Sequence, residues 1–150
     1  GKEIDFVILN HGGIRSVISP GAVTARNAYE MMPFENLIAV TELDGQSVRA
    51  LVRFLIRSGR PHPISGMEIE LGPDNSLRSV HIQGRPFNEN RKYYVATSDY
   101  LVKGGDDMGF FRDADTTIPL DYKIRNAMID YFKKVDTLKP VVDNRFRQAN

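Results

Sequence analysis

Two short apolar segments, Phe6-Val7-Ile8-Leu9 and Tyr93-Tyr94-Val95-Ala96-Thr97, each lead into a glycine turn. Such runs are too short for most helices and are rich in β-branched or aromatic residues, so they read as strands, the first of them buried. The chain is thereby constrained to a sheet that opens onto Asn10-His11-Gly12-Gly13 at one place and Gly104-Gly105-Asp106-Asp107 at another. Glycine lets backbone turn tightly or approach a ligand closely, which makes both turns candidate sites.

Between these turns the elements alternate irregularly. Thr24 is placed to cap a short helix over residues 25–32, and Pro33 stops it by forcing the preceding residue out of helical geometry. Residues 37–40 read as a second strand. Asp44 opens the clearest helix: Val48, Leu51, Val52, Leu55 and Ile56 share one face, Arg49, Arg53 and Arg57 take the other, and Ser58-Gly59 ends it. Residues 61–90 suggest a β-meander, with strands over 67–71 and 77–83 around Pro73-Asp74-Asn75-Ser76. Tyr93 and Tyr94 fall on opposite faces of their strand. Asp121 is expected to cap a last helix whose Ile124, Ala127, Met128, Tyr131, Phe132 and Val135 form an apolar face. The tail with Arg145 and Arg147 is expected to be weakly ordered or to dock as an edge strand. With no repeat or linker, the pattern predicts a single α+β domain with a mixed β-sheet and packed helices.

Composition narrows the function classes. The 150 residues are 41% hydrophobic and 26% charged, as in an ordinary globular domain. Lys+Arg 20 against Asp+Glu 19 gives +1, so no broad field favours nucleic acid, and any anion site must be local. The Arg49, Arg53, Arg57 stripe accordingly reads as a solvated helix face rather than an RNA surface. Cysteine is absent, which removes disulfides, thiolate metal sites and cysteine nucleophiles. No apolar stretch approaches the roughly 20 residues of a membrane span. The opening Gly1-Lys2-Glu3-Ile4-Asp5 follows no signal-peptide pattern and suggests a fragment entered mid-domain.

Three loops hold the candidate chemistry. In the first, Gly12 and Gly13 precede Arg15, whose planar fork suits phosphate or carboxylate; the alternative is a tight turn with a surface arginine. Phe34, in Met31-Met32-Pro33-Phe34-Glu35-Asn36, is either a core plug, the commoner fate of phenylalanine, or a stacking surface. In the third loop Tyr100 precedes Gly105 and Asp106: a ring to cover a heterocycle and a carboxylate to accept from a sugar diol, or simply a turn with a capping Asp. Two rings, an arginine and a carboxylate together match the needs of a nucleoside phosphate. His62, between Pro61 and Pro63, is expected at the surface, and His81 alternates within a strand; neither favours a metal. No Gly-x-Ser-x-Gly elbow or Walker loop occurs.

Asn10-x-Gly-Gly-Ile-Arg15, Gly21-x-Val-Thr24, Pro33-Phe34-x-Asn36 and Thr97-x-Asp99-Tyr100-Leu101-x-x-Gly104-Gly105-Asp106 together resemble the C-terminal substrate-binding domain of the 5'-nucleotidase and UDP-sugar hydrolase family. The resemblance implies that Phe34 and Tyr100 sandwich a base, Arg15 holds the phosphate and ribose side, Asn10 lies near the base, and Asp106 grips the ribose hydroxyls. His11 and Asp107 depart from the family pattern, which usually has a small or polar residue at the first and glycine at the second. The resemblance also implies an upstream helix with a further arginine. It further implies a separate metallophosphatase domain, in cis or in trans, whose divalent metal pair performs hydrolysis. This chain itself is expected to hold no cofactor and to bind nucleotide or nucleoside without cleaving it, in the periplasm or at the cell surface. A stand-alone nucleoside or nucleotide-sugar binding module is the alternative.

Overall fold

A computed structural model describes residues 2–149, so Gly1 of the opening segment lies outside the described residues. The apolar runs form two sheets. The larger contains β1 (Phe6–Ile8), β2 (Leu37–Leu43), β3 (Ile64–Ser65), β7 (Tyr93–Ser98) and β8 (Thr116–Lys123) in the order β3-β1-β7-β2-β8. β1 and β7 run parallel, with Phe6 opposite Val95 and Val7 opposite Ala96, whereas β2 lies antiparallel to both of its neighbours. The smaller sheet is the expected meander, β4 (Met67–Leu71), β5 (Leu77–Ile82) and β6 (Arg85–Pro86). It is closed on one side by the tail, which docks as β9 (Phe146–Gln148) parallel to β4 and pairs Arg147 with Glu70.

One contiguous core joins the sheets. Val48, Leu51, Val52 and Leu55 of α2 (Gly45–Ser58) pack with Phe6, Ile8, Leu43 and Val95 of the larger sheet and with Met67, Ile69 and Val80 of the smaller. The helix is fixed at both ends. Asp44 Oδ1 accepts the Ser47 amide at 2.7 Å, which holds its carboxyl below the usual range, and Gly59 ends the helix at φ 61°. Tyr93 is buried with its hydroxyl satisfied by the Asn88 backbone, while Tyr94 on the opposite face is half-buried.

The last third departs from expectation. Asp121 caps no helix: it lies inside β8, and α4 (Ile124–Lys134) begins three residues later without a side-chain cap. Residues 116–123 are drawn into the sheet by β2, with Ile118 opposite Val40 and Thr117 opposite Thr41. The alternation of Ile118, Leu120 and Tyr122 was a strand signal, but Pro119 interrupts it, and proline is tolerated there because β8 is an edge strand. The apolar face expected on α4 is only half-covered, Tyr131 being 57% exposed, and the buried α4 residue is Arg125.

Gly45 begins α2 where the backbone of Glu89 passes close by; a Cβ there would lie 2.0 Å from the Glu89 carbonyl oxygen. Alanine ordinarily improves a helix. Here Gly45→Ala should instead lower stability by about 1–3 kcal/mol, the usual overpacking range, measured as the shift in urea midpoint at unchanged m-value.

Candidate functional site

Because β1 and β7 are parallel neighbours, their C-terminal ends emerge at the same edge of the sheet. β1 delivers Asn10 and the short 3-10 turn His11–Gly13; β7 delivers α3 (Asp99–Val102) and then Gly105–Asp107. Asn10 Nδ2 donates to Asp106 Oδ2 at 2.7 Å across a separation of 96 residues. A Cβ on Gly13 would sit 3.1 Å from Asn10 Oδ1, so the glycine leaves the amide room to lie across its own turn.

The loop between α1 (Ala25–Met31) and β2 is tied to both of these turns. The Arg15 amide donates to the Met31 carbonyl at 2.8 Å, and Asp99 Oδ1 accepts from Asn36 Nδ2 and the Leu37 amide, both at 3.1 Å. Three loops distant in sequence are thus fastened pairwise into a ring. Asn10, Gly13, Phe34, Asn36, Ser98 and Arg125 line a narrow cleft between them, a lining that does not include Tyr100.

Phe34 is no core plug: it is 48% exposed, and the Arg15 guanidinium carbon stands 5.9 Å from its ring centroid, at the outer limit for a cation–π contact. Tyr100 is 43% exposed. A Cβ built on Gly105 would be 2.5 to 2.7 Å from the Tyr100 ring atoms Cε1, Cζ and Cε2. Near-equal distances to three adjacent ring atoms place Gly105 over a face of the ring, where no larger residue fits. The Tyr100 hydroxyl donates to Asp106 Oδ1 at 2.7 Å, and the carboxylate beside it pushes the phenol above its ordinary pKa. Both Asp106 oxygens therefore already have a partner, yet each retains a lone pair for another donor.

Asp106 and Asp107 adopt φ 52° and 62°, left-handed values that L side chains seldom take. Asp107, where the resemblance leads one to expect glycine, thus occupies glycine-like backbone; aspartate tolerates it better than most residues. His11, the other departure from the family pattern, is exposed. Its amide donates to His62 Nδ1 at 3.0 Å, which corrects the expectation that His62 is merely on the surface. His62 is half-buried against Phe54, ring centroids 5.4 Å apart, and this burial, reinforced by His11, lowers its pKa.

Two arginines missing from the sequence reading also support these loops. Arg112 Nε donates to the Lys103 carbonyl at 3.2 Å, with its guanidinium lying where a Cβ of Gly104 would be. Arg125 lies beneath the Phe34 loop: Nη1 donates to the Met32 and Phe34 carbonyls at 3.1 and 3.3 Å, and Nη2 pairs with Glu35. Lys123 pairs with the other Glu35 oxygen. Sequence offers no signal for a buried arginine in an otherwise amphipathic helix.

Residues 1–113 match the family model described as 5'-nucleotidase, C-terminal domain. The chain belongs to this family. Protein UshA of Salmonella pullorum is 29% identical over 108 residues, covering 68% of this chain and 19% of that protein. A cell wall protein of Listeria monocytogenes is 26% identical over 148 residues, covering 89% and 19%. The fold superposes on the 5'-nucleotidase precursor of Thermus thermophilus with TM-score 0.86 at 21% identity, covering 98% of this chain and 32% of that one. The chain therefore spans about a fifth to a third of the length of these relatives, and its single α+β unit is the fold of the 5'-nucleotidase C-terminal domain.

Among the described residues no three His, Asp or Glu side chains converge as a metal ligand set, and no helix is long and apolar enough to cross a membrane.

Glu35 gives the site a pH dependence. Arg125 first and Lys123 second hold its carboxyl down at about 2 from 4.5. The depressed folded value means its contribution is present above pH 4.5 and is lost as pH falls toward 2. The urea midpoint of the parent chain should exceed that of Glu35→Gln at pH 5, and the gap should narrow progressively as pH falls from 4.5 toward 2. A constant gap would dissociate the clamp from titration of Glu35.

Proposed function

We propose that this 5'-nucleotidase C-terminal domain is a nucleotide- and nucleoside-binding unit of a longer phosphohydrolase. The base stacks between Phe34 and Tyr100, Asp106 and Asn10 hold the nucleoside, the backbone of Gly12, Gly13 and Gly105 gives it close approach, and Arg15 holds the phosphate side. The observation that carries this reading is the ring of fastened loops. It leaves Phe34 and Tyr100 each about half-exposed, with the Tyr100 hydroxyl bound to an Asp106 carboxylate that keeps spare lone pairs, on segments that hydrogen bonds hold in place.

Each feature has a chemical counterpart in the ligand. An exposed ring that stays in place before binding loses little entropy when a base stacks on it. Asp106 can accept ribose hydroxyls through its unused lone pairs while Asn10 and Tyr100 keep the carboxylate oriented. Arg15 is a charged fork on a solvent-facing loop, suited to phosphate. Stacking accepts any base, so recognition of the base should be broad.

In this reading phosphate hydrolysis belongs to a separate two-metal domain, in cis or in trans, of the kind the family resemblance implies. In that arrangement the present domain would contribute by positioning the phosphate. The family membership and the cell wall relative favour an extracytoplasmic location, in the periplasm or at the cell surface.

Isothermal titration of the chain with AMP and adenosine tests the reading. Stacking is worth about 1–3 kcal/mol per base, so Phe34→Ala and Tyr100→Ala should each weaken binding about 5- to 150-fold. Arg15→Ala should weaken AMP by about tenfold more than adenosine, since a charged hydrogen bond contributes about 1.5 kcal/mol. No phosphate should be released from AMP by the chain alone. Unchanged affinity in both ring variants would refute the sandwich, and equal losses of AMP and adenosine in Arg15→Ala would remove its phosphate role.

A further inference from the structure

Arg125 stands outside the stretch that matches the family model, in the first turn of α4, yet it is only 3% exposed and its guanidinium reaches back under the loop that carries Phe34. Its contacts fall on three of four consecutive residues: the carbonyls of Met32 and Phe34 and the carboxylate of Glu35. The skipped residue is Pro33, which has no N–H of its own to anchor the loop. The Tyr29 ring covers the guanidinium, 4.0 Å from centroid to carbon, and Lys123 restrains Glu35 from the side of β8.

A buried guanidinium is costly to desolvate, and this one leaves Nε without a partner among the described residues. A purely apolar residue would fill the same volume without that cost. What it would lack is the rigid fork, which can hold two carbonyls and a carboxylate at once in one geometry. Phe34 is about half-exposed, so packing covers only part of its ring and the backbone on which it sits helps to set the ring's direction.

We infer that Arg125 is a positioning residue for the Phe34 ring, fixing the backbone of residues 32–35 so that the ring is presented in one orientation before a base arrives. Its effect on ligand binding rests on the stacking role proposed for Phe34; its effect on the loop does not. The C-terminal segment, β8 followed by α4, thereby acts as a brace for the substrate loop.

The chain contains no tryptophan, so Phe34→Trp introduces a single fluorescent reporter at the ring position. Time-resolved anisotropy of that indole should show one slow decay with Arg125 present. A fast component should appear when Arg125→Met is added, and a smaller one with Arg125→Lys, which keeps the charge but not the fork. With the natural Phe34, Arg125→Met should weaken adenosine binding about tenfold at unchanged circular dichroism. The Phe34→Ala, Arg125→Met double variant should bind no more weakly than Phe34→Ala alone, because the brace has nothing left to position.

Identical indole dynamics in all three backgrounds would overturn the inference and leave Arg125 a packing element. Additive losses in the double variant would do the same. If Phe34→Ala alone leaves adenosine affinity unchanged, the stacking role fails, and the anisotropy comparison still decides whether Arg125 orders the loop. Should Arg125→Met not fold, Arg125→Lys carries both measurements, with full retention of the slow decay and of affinity counting against the inference.

Discussion

The parallel pairing of β1 with β7 is the constraint on which the rest of the site depends. Parallel strands finish at the same edge, so the residues that follow Ile8 and those that follow Ser98 must leave the sheet side by side. Had the two strands been antiparallel, Asn10 and Asp106 would lie at opposite ends of the sheet and no hydrogen bond could join them. The buried cluster of Phe6, Ile8, Leu43, Val95 and the apolar face of α2 makes this register hard to change, because a slip of one residue would turn each strand's apolar set away from the core.

Polar side chains then join what the strands bring near. Asp99 accepts from Asn36 and from the Leu37 amide, Asn10 and Tyr100 divide the Asp106 carboxylate, and the His11 amide finds His62. Each bond ends a loop segment that would otherwise have its polar groups matched only by water. Asp106, held by Asn10 and Tyr100, adopts left-handed backbone, as does Asp107 after it. The family relationship and the geometry meet here: the stretch matched by the 5'-nucleotidase C-terminal model contains the first loop, Phe34, Tyr100 and Asp106, whereas the brace beneath Phe34 lies beyond it.

Much of this was legible in the residues themselves. β1, β2, α2, the meander and β7 follow from apolar periodicity, and Thr24, Asp44 and Gly59 mark helix ends by local hydrogen bonding or by left-handed backbone, neither of which requires a distant partner. The motifs around Asn10, Phe34 and Tyr100 were also visible. β8 escapes a sequence reading because Pro119 masks its alternation and because its pairing is owed to β2, about eighty residues away. His62 and Arg125 escaped for a related reason: one accepts from the His11 amide, 51 residues distant, and the other donates to carbonyls more than ninety residues away.

Amino-acid order alone determined the class of fold, the existence of β1, β2, β4, β5, β7, α1 and α2, the presence of two glycine turns, and the residue types available to meet a nucleotide. All of these depend on contacts within a few residues, where period and side-chain chemistry act directly. Tertiary structure alone decided that Phe34 is exposed rather than buried, that Asp106 is shared by Asn10 and Tyr100, and that a buried arginine underlies the Phe34 loop. Those outcomes depend on which distant backbone groups the packed sheet brings within hydrogen-bond range, and such distances exist only after the chain has folded.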